Sequence, residues 1–256
     1  MRVNVISDVH GRCDGALAAA GEGADALICL GDLLLFLDYA DHTSGIFTEL
    51  FGVDNVSRFI GLRKEKRFDQ ARALISRLWS ELDGDPSAHI EQAVRRQYAQ
   101  IFAALPTPAY LTYGNVDMPR LWPDFLETGH RVLDGEVVEI GGRRFGFVGG
   151  GLRTRYRTPY EIDDEAYAAS VVAVGAVDVL CCHIPPALPD LTYDVVARRL
   201  ERGSEATLDA IRDTRPSYVL FGHVHQPLAA RTRIGRTECV NVGHFRSTGT
   251  PFALDV

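Results

Sequence analysis

Five short apolar runs in this chain each stop at a cluster of Asp, Asn or His, and that repetition limits the fold more than any other feature. The runs are Val3 to Ser7, Ala26 to Leu30, Ala109 to Tyr113, Val177 to Cys182 and Tyr218 to Phe221. Each is short, continuous and apolar, as a buried strand is. The clusters that follow are Asp8-Val9-His10, Gly31-Asp32, Gly114-Asn115-Val116-Asp117, His183 and Gly222-His223-Val224-His225. Open α/β sheets bind their ligands at this end of the strands, where the loops leave a crevice floored by the sheet.

Helical stretches separate these runs, at Gln70 to Glu81, Ile90 to Leu105 and Glu205 to Thr214, the last with Ser204 placed as its N-cap. Residues from about 33 to 105 read as one long, mostly helical insert. From about residue 131 the pattern changes to hairpins, with Val132-Leu133, then Val137 to Ile140, a Gly141-Gly142 turn and Phe145 to Val148. Arg231 to Val242 and Phe252 to Val256 also read as strand. No repeat or linker divides the chain. The expectation is therefore one domain over residues 1–256, an α/β fold in which a βαβ half precedes a strand-rich half and two sheets pack together with helices outside.

Composition narrows the function. The 256 residues are 46% hydrophobic and 24% charged, ordinary for a globular chain. No apolar run approaches the roughly 20 residues of a membrane span. Met1 to Asp8 reaches a polar motif too soon for a signal peptide, so a cytoplasmic location and no membrane partner are expected. The five cysteines are odd in number, and those in apolar runs read as reduced core residues. A net charge of −7 speaks against broad attraction to nucleic acid, although a local basic patch is compatible with it. A homo-oligomer is also compatible with the sequence.

Leaving Asp117 aside, the strand-end clusters supply two carboxylates, one amide oxygen and four imidazoles. Mixed oxygen and nitrogen donors suit borderline divalent metals such as Mn, Fe or Zn, with Ni or Co also possible. Asp8 and His10 are two apart in an extended segment and share a side, so they can grip one ion. His223 and His225 have the same spacing where a strand gives way to a loop, and can diverge to two.

In this order and spacing the clusters resemble the calcineurin-like metallophosphoesterases, whose signature runs D-x-H, G-D, G-N-H-[DE], a His before a Pro-containing loop, and G-H-x-H. The resemblance covers nearly the whole chain and implies a four-layer α-β-β-α sandwich of two mixed sheets flanked by helices. It implies that Asp8, His10 and His225 hold one metal, that Asn115, His183 and His223 hold a second, and that Asp32 bridges them. Asp32, Asn115 and His223 would then be catalytic, with Asn115 also touching substrate. Such a pair of cations neutralises the phosphate and generates a nucleophile near neutral pH, so no side chain need attack. Gly149-Gly150-Gly151, Thr158-Pro159 with Glu161, and Gly203-Ser204 resemble, less specifically, a prokaryotic subgroup of phosphoesterases.

One position departs from the signature. Val116 stands where the family carries the His that protonates the leaving group, and Asp117 then lacks the side chain it would orient. Loss of a general acid costs on the order of 10²- to 10⁴-fold, most heavily for poor leaving groups. The resemblance therefore implies a phosphodiesterase acting on a small-molecule or activated diester. A phosphomonoesterase, such as a protein phosphatase, a DNA nuclease and a non-catalytic metal-binding scaffold are the alternatives. His244, in Asn241-Val242-Gly243-His244, is read either as a surface or capping residue or as a substitute proton donor and phosphate contact. Arg153, alternating with Arg155 and Arg157, is read either as an exposed strand edge or as a substrate contact.

Overall fold

The computed structural model describes residues 1–255, so the expected strand end at Val256 lies outside the described residues. The chain divides into two compact units: residues 1–33 together with those from Ile101 onward, and Leu34–Gln100.

The first unit is built on two mixed sheets. One runs in the order Phe252–Asp255, Arg2–Ile6, Ala26–Cys29, Ala109–Leu111, His130–Val132. The other runs Arg231–Ile234, Thr237–Asn241, Tyr218–Phe221, Val179–Cys182, Arg143–Val148, Glu136–Ile140. Period-2 alternation decides what each strand buries. Val3, Val5 and Ile28 of the first sheet meet Phe145, Phe147, Val179, Cys181, Leu220 and Val240 of the second in one core. The intervening Val148, Leu180, Cys182, Val219, Phe221 and Cys239 point the other way, onto Tyr167, Val171 and Val174 of the helix Asp164–Val174 and Ile211 of the helix Glu205–Thr214. On the far side of the first sheet, Asn4 donates to Ala20 O at 2.9 Å, tying the strand to the short turn beyond the helix Gly15–Ala18. The layers are helix, sheet, sheet, helix.

The central strands of both sheets are parallel, so the polar ends of Arg2–Ile6, Ala26–Cys29 and Ala109–Leu111 lie at one rim, as do those of Val179–Cys182 and Tyr218–Phe221. Local signals set the helices between them. Ser204 Oγ accepts from Thr207 N at 3.0 Å, the cap its sequence position implies. Asp163 caps Asp164–Val174 by accepting from Ala166 N at 2.8 Å. Gly141 and Gly142 both take positive φ, +58° and +74°, the backbone a tight hairpin turn requires.

The two-half expectation is corrected at two places. His130–Val132 does not join the hairpin that follows it but adds in parallel to the edge of the first sheet. Phe252–Asp255 returns to the other edge of that sheet, antiparallel to Arg2–Ile6. Both belong with the βαβ half, because an unpaired strand edge is satisfied wherever backbone partners are nearest, irrespective of order in the chain.

The second unit is helical: Ile46–Phe51, Val53–Lys64, Phe68–Glu81 and most of Pro86–Ala104. Ala71, Leu74 and Leu78 recur at helical spacing on Phe68–Glu81 and pack with Val56, Phe59 and Ile60. Trp79 meets Phe51 edge-on at 4.7 Å between ring centroids.

Candidate metal centre

All seven residues expected as ligands converge at the shared rim. Asp8, His10, Asp32, Asn115 and His183 are buried. Asp8, His10, Asp32 and His223 all have positive φ, between 44° and 66°, a strained setting for residues with side chains. Such strain is held where the surroundings fix it, and here tertiary bonds do so. Asp8 N donates to Gly31 O at 3.0 Å, His10 N to Asp32 O at 2.9 Å and His223 N to Asp8 Oδ2 at 2.9 Å. Gly222 is obligatory beside them, since a Cβ there would lie 2.0 Å from Ser7 Oγ and 2.3 Å from Asp8 Oδ2.

The donors form two groups that meet at Asp32. On one side His10 Nε2 lies 3.1 Å from His225 Nε2, 3.7 Å from Asp8 Oδ1 and 3.8 Å from Asp32 Oδ2, while His225 Nε2 is 3.4 Å from Asp8 Oδ1. On the other, His183 Nε2 lies 3.4 Å from Asp32 Oδ1 and 3.0 Å from Asn115 Oδ1, which is 2.8 Å from His223 Nδ1. The two oxygens of Asp32 thus face different groups. Asp8, His10 and Asp32 are close enough to hold one ion, as are Asp32, His183 and His223.

Three observations show that the site suits a cation. Asp8 Oδ1 is buried without a hydrogen-bond donor. His183 Nδ1 is 2.9 Å from Leu30 O, a pure acceptor, so Nδ1 carries the proton and the Nε2 lone pair faces the oxygens of Asn115 and Asp32. Lone pairs that converge in this way repel unless a positive charge lies among them. The electrostatics agree. Burial works against a charged His183, yet Asp32 and Asp8 carry it up to about 9, so without an ion a proton takes the place of one. Burial likewise opposes ionised Asp32, but His183 and His10 bring it down to about 2. Asp8, buried too, is held well below the carboxylate range by His225, His183 and His10.

The Asn115 amide is oriented by a chain the sequence did not reveal. Thr158 Oγ1 donates to Glu161 Oε1 at 2.9 Å and so accepts from Asn115 Nδ2, also at 2.9 Å. Oδ1 is thereby turned to the two imidazoles. Glu161 is itself fixed by Thr154, which donates from Oγ1 and from N at 2.7 Å each.

Asp117, without a His at position 116 to orient, has structural work of its own. Its buried carboxylate accepts from Asp32 N at 2.9 Å, Leu33 N at 3.0 Å and Gly114 N at 2.8 Å, clamping the loops that carry Asp32 and Asn115. Burial and the Asp32 charge push it up to about 7 against those donors. Val116 contributes its backbone, donating to Asp32 Oδ1 at 2.9 Å.

His244 is brought into the centre. Its ring stacks on His225 at 3.9 Å and 13°, and its nitrogen can approach a common point with those of His10 and His225. Nδ1 lies 2.6 Å from Ser247 Oγ, while Nε2 is buried without a partner. Burial, with His225 and His10 close by, pushes it down to about 3, so the ring is neutral. Arg153 is not among these groups. It is exposed, 3.6 Å from Asp163, and lines a cavity of about 570 Å³ with Thr154, Arg157, Thr158 and Glu161. Arg246, which sequence reasoning passed over, donates from Nη1 to His10 O at 2.8 Å and steadies that loop.

The description "calcineurin-like phosphoesterase" matches residues 1–227, from the first ligand strand through the last ligand pair. The chain belongs to the calcineurin-like phosphoesterases. Among solved structures, one 16% identical to this phosphoesterase superposes with a TM-score of 0.59, covering 95% of this chain and 91% of the other. The protein TT1561 of Thermus thermophilus is 12% identical with a TM-score of 0.53, covering 99% and 98%. At these identities the likeness shows the fold alone. No curated protein matches the sequence.

Proposed function

We propose that this phosphoesterase is a dinuclear metal-dependent phosphodiesterase, and the observation that carries the reading is Asp32, whose two oxygens face two separate donor groups. Asp8, His10 and His225 would hold one ion, Asn115, His183 and His223 the other, with Asp32 between. Mn, Fe or Zn suits this donor set, and Ni or Co is compatible with it. Two divalent ions bound there would neutralise phosphate oxygens and lower the pKa of water toward neutrality. The chain does the rest. Asp32 and Asn115 fix the phosphorus between the groups. Val116 offers no proton, which favours diesters with stable leaving groups over alkyl monoesters.

His244 is assigned the contact that Val116 cannot make. With Ser247 Oγ at Nδ1, the buried Nε2 is the atom left to meet a phosphate or leaving-group oxygen. Arg153 is placed as a contact for the part of the substrate that extends into the cavity it lines. The buried thiols of Cys29, Cys181, Cys182 and Cys239 suit a reducing compartment, and we place the enzyme in the cytoplasm.

Metal analysis is expected to find two ions per chain, with Asp32→Ala losing both the pair and the hydrolysis of bis-p-nitrophenyl phosphate. His244→Ala is expected to slow poor leaving groups more than nitrophenolate, with metal content unchanged. One ion at saturating metal, or alkyl monoesters cleaved as fast as the activated diester, would overturn the reading.

A further inference from the structure

Beyond the centre, the exposed apolar residues are unevenly placed. Ten large hydrophobic side chains are exposed among the described residues, and five of them, Tyr156, Val195, Val196, Leu200 and Leu228, gather around one ribbon. Isolated exposed aliphatics are ordinary, but a cluster marks a contact surface.

The ribbon is made of Tyr193–Asp194, Arg199–Leu200 and the segment at Pro227. Tyr193 pairs with Leu200, and Asp194 bridges Pro227. Leu228 N donates to Tyr193 O at 2.9 Å, which puts Leu228 in the same cross-strand row. Leu200, Tyr193 and Leu228 therefore project from one face. Val196, 72% exposed, stands at the turn. This face is not loose. Asp194 points inward and accepts from Val196 N at 2.9 Å, Ala197 N at 2.7 Å and Gln226 N at 3.3 Å. The apolar row is held out by a buried clamp.

Cations flank it. Arg198 sits in the turn, and Arg199 and Arg155 both lie over the Tyr156 ring at 5.1 Å, with Arg157 in the same loop. Arg199 is paired with Glu201. Arg155, Arg157 and Arg198 have no carboxylate within ion-pair distance among the described residues. A second copy of this chain would set the same uncompensated arginines against one another across a two-fold contact, which disfavours self-association through this face. Aliphatic side chains with unpaired arginines around them match an anionic lipid surface, which takes the former between its headgroups and the latter against its charge.

We infer that the ribbon carrying Val196, Leu200 and Leu228, with the flanking Arg155, Arg157 and Arg198, docks this protein on an anionic membrane surface. That no helix among the described residues is long and apolar enough to cross a membrane does not bear on it, since surface docking needs none. It holds or fails independently of the phosphodiesterase reading.

The test is co-sedimentation of the full chain with vesicles of phosphatidylcholine alone and of phosphatidylcholine with phosphatidylglycerol. Binding is expected only with phosphatidylglycerol and is expected to weaken with salt. Arg155→Ala and Arg198→Ala should each lower partitioning about fivefold, and Val196→Asp with Leu200→Asp at least about tenfold. Hydrolysis of bis-p-nitrophenyl phosphate and far-UV dichroism should be unchanged in all of them. Should the Asp pair misfold, Val196→Ser with Leu200→Ser carries the same expectation. No binding to either vesicle, equal binding to both, wild-type binding by the variants, or a dimer that the Asp pair dissolves would each overturn the inference.

Discussion

Asp117 shows how one buried carboxylate can hold a site without touching its chemistry. Its oxygens take three backbone N–H groups from two loops. Asp117→Ala leaves all three buried donors unpaired. At about 1–3 kcal/mol each, the expected loss is about 3 kcal/mol or more in urea unfolding. Thr158 is a positioning residue of another kind. Thr158→Val removes both the acceptor for Asn115 Nδ2 and the donor to Glu161, freeing the amide to turn. Affinity for one of the metal ions should fall about 10- to 100-fold by titration calorimetry, while Thr158→Ser should bind as wild type. That the seven candidate donors come together was legible in the sequence because each lies within a few residues of a strand end. Asp117 and Thr158 were not, because their partners lie up to 85 and 43 residues away and no local pattern records such a bond.

Elements carry the next level of constraint. The strands Arg2–Ile6 and Tyr218–Phe221 belong to different sheets, yet the loops at their ends touch through Gly222, Ser7 and Asp8. Gly222→Ala inserts a methyl where there is no room, at a cost of about 1–3 kcal/mol from overpacking. The side chains displaced are Ser7 and Asp8, so metal affinity should fall together with the urea midpoint. An unchanged metal titration in a destabilised variant would separate the two effects and reject the link. The parallel strands and the Ser204-capped helix were readable from apolar runs and caps. His130–Val132 and Phe252–Asp255 were recognisable as strands but not as members of the first sheet, because an edge position is set by what it meets in space.

At the scale of the molecule, the donors are ordered by folding and in turn reward it. An ion that binds the assembled site but not the dispersed ligands stabilises the fold by about 2.7 kcal/mol at a hundredfold excess over its dissociation constant. For a chain of 256 residues that corresponds to about 5–10 °C per ion. Chelator should lower the calorimetric midpoint by at least this amount, and Mn should restore it. A midpoint indifferent to chelator would mean that the donors do not bind metal in the native state.

His223 N reaches Asp8 across 215 residues of sequence, and the strand beside Asp8 is completed only by Phe252–Asp255. During synthesis at about 5–20 residues per second, the first donors therefore wait roughly ten seconds or more for their partners. Throughout that interval Asp8, His10 and Asp32 lack the imidazoles of His183, His223 and His225 that complete the two groups. Selection of the metal is thus deferred until the last strands arrive, when the ions then present in the compartment compete for a site that closes around them.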